Sequence, residues 1–156
     1  MPASGKSSFA KVLSEYYQYP MIDLDQAIVE KAKMSISEIF TKNGEEAFRM
    51  MESELLREIS ETHDDLILST GGGTPCFHDG IHYMNQNGFT VFLEAPAETL
   101  IERLMEKEGR PLMQGDVTKK VKDLLTERLP YYRQAQVRIS HREPRLLGEA
   151  LAQLRN

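Results

Sequence analysis

The sequence has no tryptophan and a single cysteine, Cys76, among its 156 residues. One thiol cannot close an internal disulfide, so a disulfide-stapled secreted scaffold is excluded and a reducing cytosol is the expected setting. Long apolar runs are missing too. None approaches the ~20 residues that a bilayer crossing needs, and the N-terminus lacks the basic-then-apolar pattern of an export signal. A cytoplasmic protein with no membrane partner is expected. There is no excess of basic charge: 19 Lys and Arg stand against 24 Asp and Glu, a net charge of −5. A broad nucleic-acid surface is therefore not expected, and an anionic ligand would need a local cluster of Arg and Lys. No Cys/His metal-ligand pattern occurs, since His63, His78, His82 and His141 are scattered. Repeats and low-complexity linkers are absent. What remains, 40% hydrophobic and 28% charged residues, is the balance of one soluble domain spanning 1–156 with a real core.

Helical and strand patterns alternate along the chain. Residues 6–17 read as a helix with Phe9, Val12 and Leu13 on one face, and 19–23 (YPMID) as a short buried strand. Two short helices follow at 26–33 and 35–42, the second capped by Ser35 with Glu38 three residues on. A longer helix spans 45–62 with Phe48, Met51, Leu55 and Ile59 at helical spacing, and the neighbouring Met50 and Met51 read as core. A buried strand at 65–69 (DLILS) runs into three glycines, and a short helix lies at 81–85. A strand at 89–93 (FTVFL) leads to Pro96 as the first helical residue of a helix through 98–106. The polar stretch 107–116 reads as a mobile loop, followed by a helix at 117–128, a strand at 137–140 and a closing helix at 144–154. This alternation implies an α/β fold with a parallel sheet covered on both faces and ligands beyond the carboxyl ends of its strands.

The chemistry-bearing residues fall at those ends. Ser4-Gly5-Lys6-Ser7-Ser8 followed at once by a helix is most of a phosphate-binding loop, G-x-x-x-x-G-K-[ST]. Such a loop needs small residues so that backbone N–H groups can turn inward, and the helix start adds its positive end. Lys6 would reach the phosphates and the Ser7 hydroxyl would ligate Mg²⁺. The bland alternative is a Gly-Lys helix start. Counting back from Gly5, the motif's first glycine falls ahead of Met1, as does the strand that normally leads into the loop. Asp23 and Asp25 end a strand on the same side of it; they read either as a helix cap or as one carboxylate near Mg²⁺ and one on a substrate hydroxyl. Arg49 and Glu52, three apart on a helix, make a surface salt bridge or a held guanidinium fork for a carboxylate ligand. Gly71, Gly72 and Gly73 after a buried strand favour close approach of backbone to a ligand over a turn, which needs fewer glycines. Arg110 lies in the polar loop, where it could close over a phosphoryl group, and Arg128 follows a helix, where it could bind a carboxylate. A lone arginine in a loop is nearly always just solvated.

Taken in order, these motifs resemble those of shikimate kinase. Gly5-Lys6-Ser7, Asp23-Leu24-Asp25, residues 34–40 (MSISEIF), 44–52 (GEEAFRMME), 70–73 (TGGG), Arg110-Pro111-Leu112 and the R-x-x-x-Y of 128–132 match that family's succession over nearly the whole chain. The resemblance implies a P-loop kinase of the nucleoside monophosphate kinase type. It would transfer a phosphoryl group from Mg²⁺-ATP to shikimate, giving shikimate 3-phosphate and ADP in aromatic amino acid biosynthesis, and would act as a monomer with a lid at about 107–116. It assigns Lys6, Asp25 and Arg110 to catalysis, and Ser7 and Asp23 to the metal. Nucleotide binding falls to Ser4, Gly5, Lys6, Ser7, Ser8, Arg103, Arg110, Arg142 and Pro144. Shikimate binding falls to Asp25, Arg49, Gly71, Gly72, Gly73 and Arg128, with Ile36, Phe40, Phe48, Pro111 and Leu112 as apolar pocket positions.

The family's sheet has five parallel strands with the first one central. That strand and the first loop glycine are not in this sequence, and the family's middle loop glycine is Ala3 here. Two other expectations therefore stand beside the first: a catalytically impaired shikimate-binding relative, or a related small-molecule kinase such as a gluconate kinase or a nucleoside monophosphate kinase.

Overall fold

The computed structural model describes residues 1, 3–108 and 114–140, with the side chains of 107–116 excepted. Arg110, Pro111, Leu112, Arg142, Pro144, the core of the expected lid and the expected closing helix lie outside the described residues.

Helix α1 (Lys6–Tyr17) starts from Gly5, whose φ of +90° is open to glycine at little cost. Its buried stripe is Phe9, Ala10 and Leu13. Val12, expected on that face, is 50% exposed because the stripe runs through Ala10 instead. Strand β1 (Met21–Asp23) passes directly into α2 (Leu24–Ala32), with Asp23 both ending the strand and capping the helix. Leu24 and Ile28 on α2 are fully buried.

The two helices expected at 35–42 and 45–62 form α3 (Ile36–Thr62), broken at Gly44, whose φ of 84° and ψ of 172° are non-helical. Ser35 and Glu38 form the expected capping box, each side chain satisfying the other's backbone N–H. Beyond the kink Phe48, Leu55, Leu56 and Ile59 face inward. Met50, expected in the core, is half exposed, one position off that stripe. With Leu24, Ile28 and Ile39 these residues make the main apolar cluster, in which α2 packs on α3.

Strand β2 (Ile67–Ser69) leads to the glycines and a 3-10 turn, Thr74–Cys76. Next come α4 (Gly80–Asn87), β3 (Val91–Glu94) and α5 (Ala97–Glu108). Pro96 falls one residue short of α5, and its carbonyl accepts the Leu100 N–H of the first turn. Helix α6 (Gln114–Tyr132) packs against α5, and β4 (Val137–Ser140) follows it. Residues 114–116, expected in the polar loop, are thus helical.

The four strands among the described residues pair as β1 with β2 and β3 with β4, both in parallel, with Met21 opposite Ile67 and Val91 opposite Val137. No hydrogen bond joins β2 to β3. The sheet is parallel, as the strand–helix alternation implies, but it is divided. Helix α1 bridges the two halves: Phe9 and Leu13 pack against Ile67 of β2, Val91 and Leu93 of β3 and Ile139 of β4. Between β2 and β3 lies a cavity of about 460 Å³. Among the described residues no helix is long and apolar enough to cross a membrane.

Candidate active site

The carboxyl ends of β1 and β2 open onto one site, and each segment reaches it for a local reason. The loop before α1 brings Lys6 and Ser7. Lys6 Nζ donates to the Met1 carbonyl at 2.7 Å, and the buried Ser4 hydroxyl donates to the same oxygen at 3.0 Å. Burial lowers the Lys6 pKa, with Arg128 acting in the same direction and the carboxylates of Asp25 and Asp23 opposing. Arg103 reaches across from α5 to donate from Nη1 to the Ala3 carbonyl at 3.1 Å, so this position flanks the loop. Ala3 itself has a φ of +57°, a left-handed conformation that glycine adopts without the Cβ penalty. Ser8 is exposed.

The two readings of the acidic pair turn out to be compatible. Asp23 Oδ1 accepts the N–H groups of Asp25 and Gln26 as a helix cap. Its Oδ2 accepts the Ser7 hydroxyl at 3.0 Å. The strand alternation invoked for the pair does not apply, because Asp25 lies in the first turn of α2. It faces the site all the same: a Cβ on Gly71 would sit 2.9 Å from Asp25 Oδ1 and 2.7 Å from Glu52 Oε1. Burial, then the nearby Asp23 and Glu52, raise the Asp25 pKa against the pull of Lys6 and Arg49.

Arg49 is not a surface residue. It is 6% exposed, and its partner Glu52 is 2% exposed. Arg49 Nη1 donates to Glu52 Oε2 at 2.8 Å, while Nε and Nη2 donate to Glu45 Oε1 at 3.3 and 3.2 Å. Three aromatic rings surround the guanidinium, Phe77 at 4.4 Å, Phe48 at 5.0 Å and Phe40 at 6.0 Å from their centroids. Glu52 in turn accepts the buried Thr74 hydroxyl at 2.6 Å. Charges this deeply buried persist only when paired and hydrogen-bonded on all sides.

The glycine run passes between these groups, and each member is small because a side chain stands against it. A Cβ on Gly73 would collide with the Arg49 guanidinium. One on Gly72 would lie 3.0 Å from Arg128 Nη1 and 3.3 Å from the Tyr132 hydroxyl. Tyr132, one helical turn after Arg128 on α6, donates its hydroxyl to the Gly72 carbonyl at 2.6 Å, and burial pushes its pKa up to about 12. Among the described residues the Arg128 Nε is buried with no hydrogen-bond partner. A donor left unpaired at that depth is costly unless a ligand satisfies it.

Through these contacts the structure brings Ser4, Gly5, Lys6, Ser7, Asp23, Asp25, Arg49, Gly71, Gly72, Gly73, Arg103 and Arg128 into one neighbourhood. Sequence reasoning gave no role to Glu45, Thr74, Phe77 or Tyr132. The i, i+4 spacing of Glu45 and Arg49 is a signal that could have found the first. Phe77 and Thr74 reach the site only through the fold of the glycine turn, which no local pattern encodes. Ser7 and Asp23 offer two hard oxygen donors, one exposed and one half-buried. This suits Mg²⁺, which takes one or two protein ligands and fills its octahedron with water and phosphate oxygens.

A family profile described as shikimate kinase matches residues 2–154. The shikimate kinase of Bacteroides fragilis is 39% identical over 137 residues, covering 85% of this chain and 76% of the relative. That of Clostridium botulinum (strain Loch Maree) is 38% identical over 137 residues, covering 86% and 80%. Among solved structures, the shikimate kinase of Bacteroides thetaiotaomicron superposes with a TM-score of 0.87 at 33% identity, over 99% of this chain and 93% of that one. The Acinetobacter baumannii shikimate kinase, solved in complex with shikimate, superposes with a TM-score of 0.83 at 32% identity, over 97% and 87%. This chain belongs to the shikimate kinase family.

Proposed function

We infer that this chain phosphorylates shikimate, transferring the γ-phosphoryl group of ATP to a ring hydroxyl to give shikimate 3-phosphate and ADP. The observation that carries the reading is the placement of two arginines, Arg49 and Arg128, on either side of the glycine run, with the Asp25 carboxylate beside it. A small hydroxylated carboxylic acid has one group for each: its carboxylate for the two guanidinium forks, and its reacting hydroxyl for Asp25. The unpaired Arg128 Nε supports the same assignment. The retained Lys6, Ser7 and acidic pair favour an active kinase over a binding remnant, and the family match speaks against a gluconate kinase or a nucleoside monophosphate kinase.

Phosphoryl transfer asks the protein for position and charge neutralisation. The substrate hydroxyl oxygen forms a bond to the γ-phosphorus as the bond from that phosphorus to the β,γ-bridging oxygen breaks, and ADP departs. Asp25 orients the hydroxyl and accepts its proton, for which its raised pKa suits it. Lys6 leaves the Met1 carbonyl to neutralise phosphate charge. Arg49, braced by Glu52, Glu45 and three phenylalanine rings, fixes the ring of the acceptor. Mg²⁺, held by Ser7 and Asp23, would supply further charge on the phosphate oxygens. Arg110 is proposed to close over the phosphates, and Arg142 and Pro144 to flank the base. A cytoplasmic, monomeric enzyme completes the proposal.

An acceptor panel tests it. Incubated with Mg²⁺-ATP and shikimate, gluconate or a nucleoside monophosphate, the chain is expected to yield a new phosphomonoester signal by ³¹P NMR with shikimate alone. A signal with another acceptor and none with shikimate would overturn the assignment.

A further inference from the structure

The glycine run ends at Thr74, and the chain doubles back before α4 begins at Gly80. Two consecutive residues in that stretch, His78 and Asp79, hold left-handed backbone conformations with φ of +48° and +61°. Gly80 closes so tightly on the start of the turn that a Cβ there would lie 2.0 Å from the Thr74 carbonyl oxygen. Residues other than glycine keep such conformations only where their surroundings over-determine them. Here they do. The Gly80 N–H donates to the Phe77 carbonyl at 2.9 Å and the Cys76 N–H to the Gly73 carbonyl at 2.8 Å. Arg57 of α3 donates from Nη2 to the His78 carbonyl at 3.2 Å.

The turn delivers two side chains to one target. Phe77 lays its ring 4.4 Å from the Arg49 guanidinium. Thr74, 3% exposed, donates its hydroxyl to Glu52 Oε1 at 2.6 Å, and the other oxygen of Glu52 accepts Arg49 Nη1 at 2.8 Å. Thr74 therefore acts on Arg49 through Glu52. A second carboxylate stands close by. A Cβ on Gly71 would meet Glu52 Oε1 at 2.7 Å, Asp25 Oδ1 at 2.9 Å and Thr74 Oγ1 at 3.3 Å, so the three oxygens converge on one point of the glycine run. A hydroxyl has one proton to give, and this one goes to Glu52. Both Glu52 oxygens are then engaged and its charge is held towards Arg49, which leaves the Asp25 carboxylate for a hydroxyl of the acceptor. With the Thr74 hydroxyl gone, Glu52 Oε1 is a buried carboxylate oxygen that has lost its donor and faces a second acid. Such a group turns to find another partner, and the Arg49 fork that it braces loses its fixed orientation.

We propose that Thr74 is a positioning residue for the acceptor: its hydroxyl commits Glu52 to Arg49 and so fixes the guanidinium fork that receives the acceptor's carboxylate. The inference rests on the assignment of Arg49 to shikimate given above.

Thr74→Val, Thr74→Ala and Thr74→Ser separate the hydroxyl from the bulk of the side chain. Two measurements are made on each variant and on the parent chain. One is the solvent exchange rate of the Arg49 side-chain Nε–H by NMR without ligand; the other is calorimetric titration with shikimate and, separately, with ADP. Thr74→Val and Thr74→Ala are expected to speed exchange of the Arg49 Nε–H about fivefold or more and to weaken shikimate binding roughly five- to tenfold, with ADP binding unchanged. Thr74→Ser should keep the parent values of all three. The Ala variant reads the hydroxyl where the Val methyl, set against a carboxylate, prevents folding. Parent-like Arg49 exchange and shikimate affinity in the Val or Ala chain would overturn the proposal. So would a Ser chain as impaired as the Val chain, or ADP binding that falls in step with shikimate binding, the mark of a general loss of structure. If the parent chain binds no shikimate, the kinase reading falls, and the Arg49 exchange rates alone decide for or against Thr74.

Discussion

Arg49 is the residue whose surroundings say most about its work. A guanidinium with two carboxylate partners and three aromatic rings is fixed in orientation before any ligand arrives. Such preorganisation matters most for a planar, two-pronged contact. Arg49→Lys keeps the charge and loses the fork, and it is expected to raise the KM for shikimate by about tenfold or more. Steady-state kinetics with varied shikimate would check this, and an unchanged KM would remove Arg49 from the acceptor site.

Asp25 makes a prediction with two arms. Asp25→Asn is expected to lower kcat by about a hundredfold or more, the usual contribution of a positioned base. The same substitution should stabilise the fold near neutral pH. The folded-state pKa of Asp25 is raised, chiefly by burial and then by Asp23 and Glu52. The ionised carboxylate therefore costs stability above its unfolded pKa, and that cost disappears in acid, where both states hold the proton. Thermal melts should show the Asn variant ahead of the parent at pH 7 and the gap closing towards pH 3. A gap that persists in acid, or retained turnover, would contradict the role given to Asp25.

At the scale of elements, α3 is where local rules and the site meet. Its capping box starts the helix at Ile36, and Gly44 turns it so that the stretch carrying Phe48, Arg49 and Glu52 faces the glycine run. Beyond the backbone of its own helix, no heavy atom lies within 4 Å of a Cβ built on Gly44, so substitution there is opposed by backbone conformation. Gly44→Ala is expected to cost about 1–3 kcal/mol, measured by denaturant unfolding, and to weaken shikimate binding by straightening the helix. A neutral result would mean that the kink does not position Arg49.

The same element shows what the sequence could tell. Ser35 with Glu38, the stripe of Phe48, Leu55 and Ile59, and the four strands all have local signatures, and their types were legible from periodicity and caps. The strands expected at 19–23, 65–69 and 89–93 each start two residues later in the structure, β3 runs one residue further, and β4 matches, because the apolar pattern does not mark where pairing begins or stops. The burial of Arg49 was not legible, since an i, i+3 ion pair reads the same on a surface as in a core. Arg49 and Arg128 are 79 positions apart in the sequence. Only the turn through Gly71, Gly72 and Gly73 stands against both, Gly73 beside Arg49 and Gly72 beside Arg128, and that turn is a product of tertiary packing.

At the scale of the whole molecule, the described residues form two parallel strand pairs held by α1, with the candidate site at one end of β1 and β2. Succession of motifs, rather than any one of them, made the family legible, and composition alone would have stopped at a globular α/β domain. The site side chains converge although the sheet is divided, because α5 and α6 reach across to the other half: Arg103 donates to the Ala3 carbonyl, Tyr132 donates to the Gly72 carbonyl, and Cys76 packs in the α5–α6 apolar cluster. Catalytic competence is therefore expected of the chain as it stands. The direct measurement is ADP release by this chain from Mg²⁺-ATP, with and without shikimate, in a coupled assay. Release that depends on shikimate is the expected result. A folded chain that binds shikimate but releases no ADP would contradict the account.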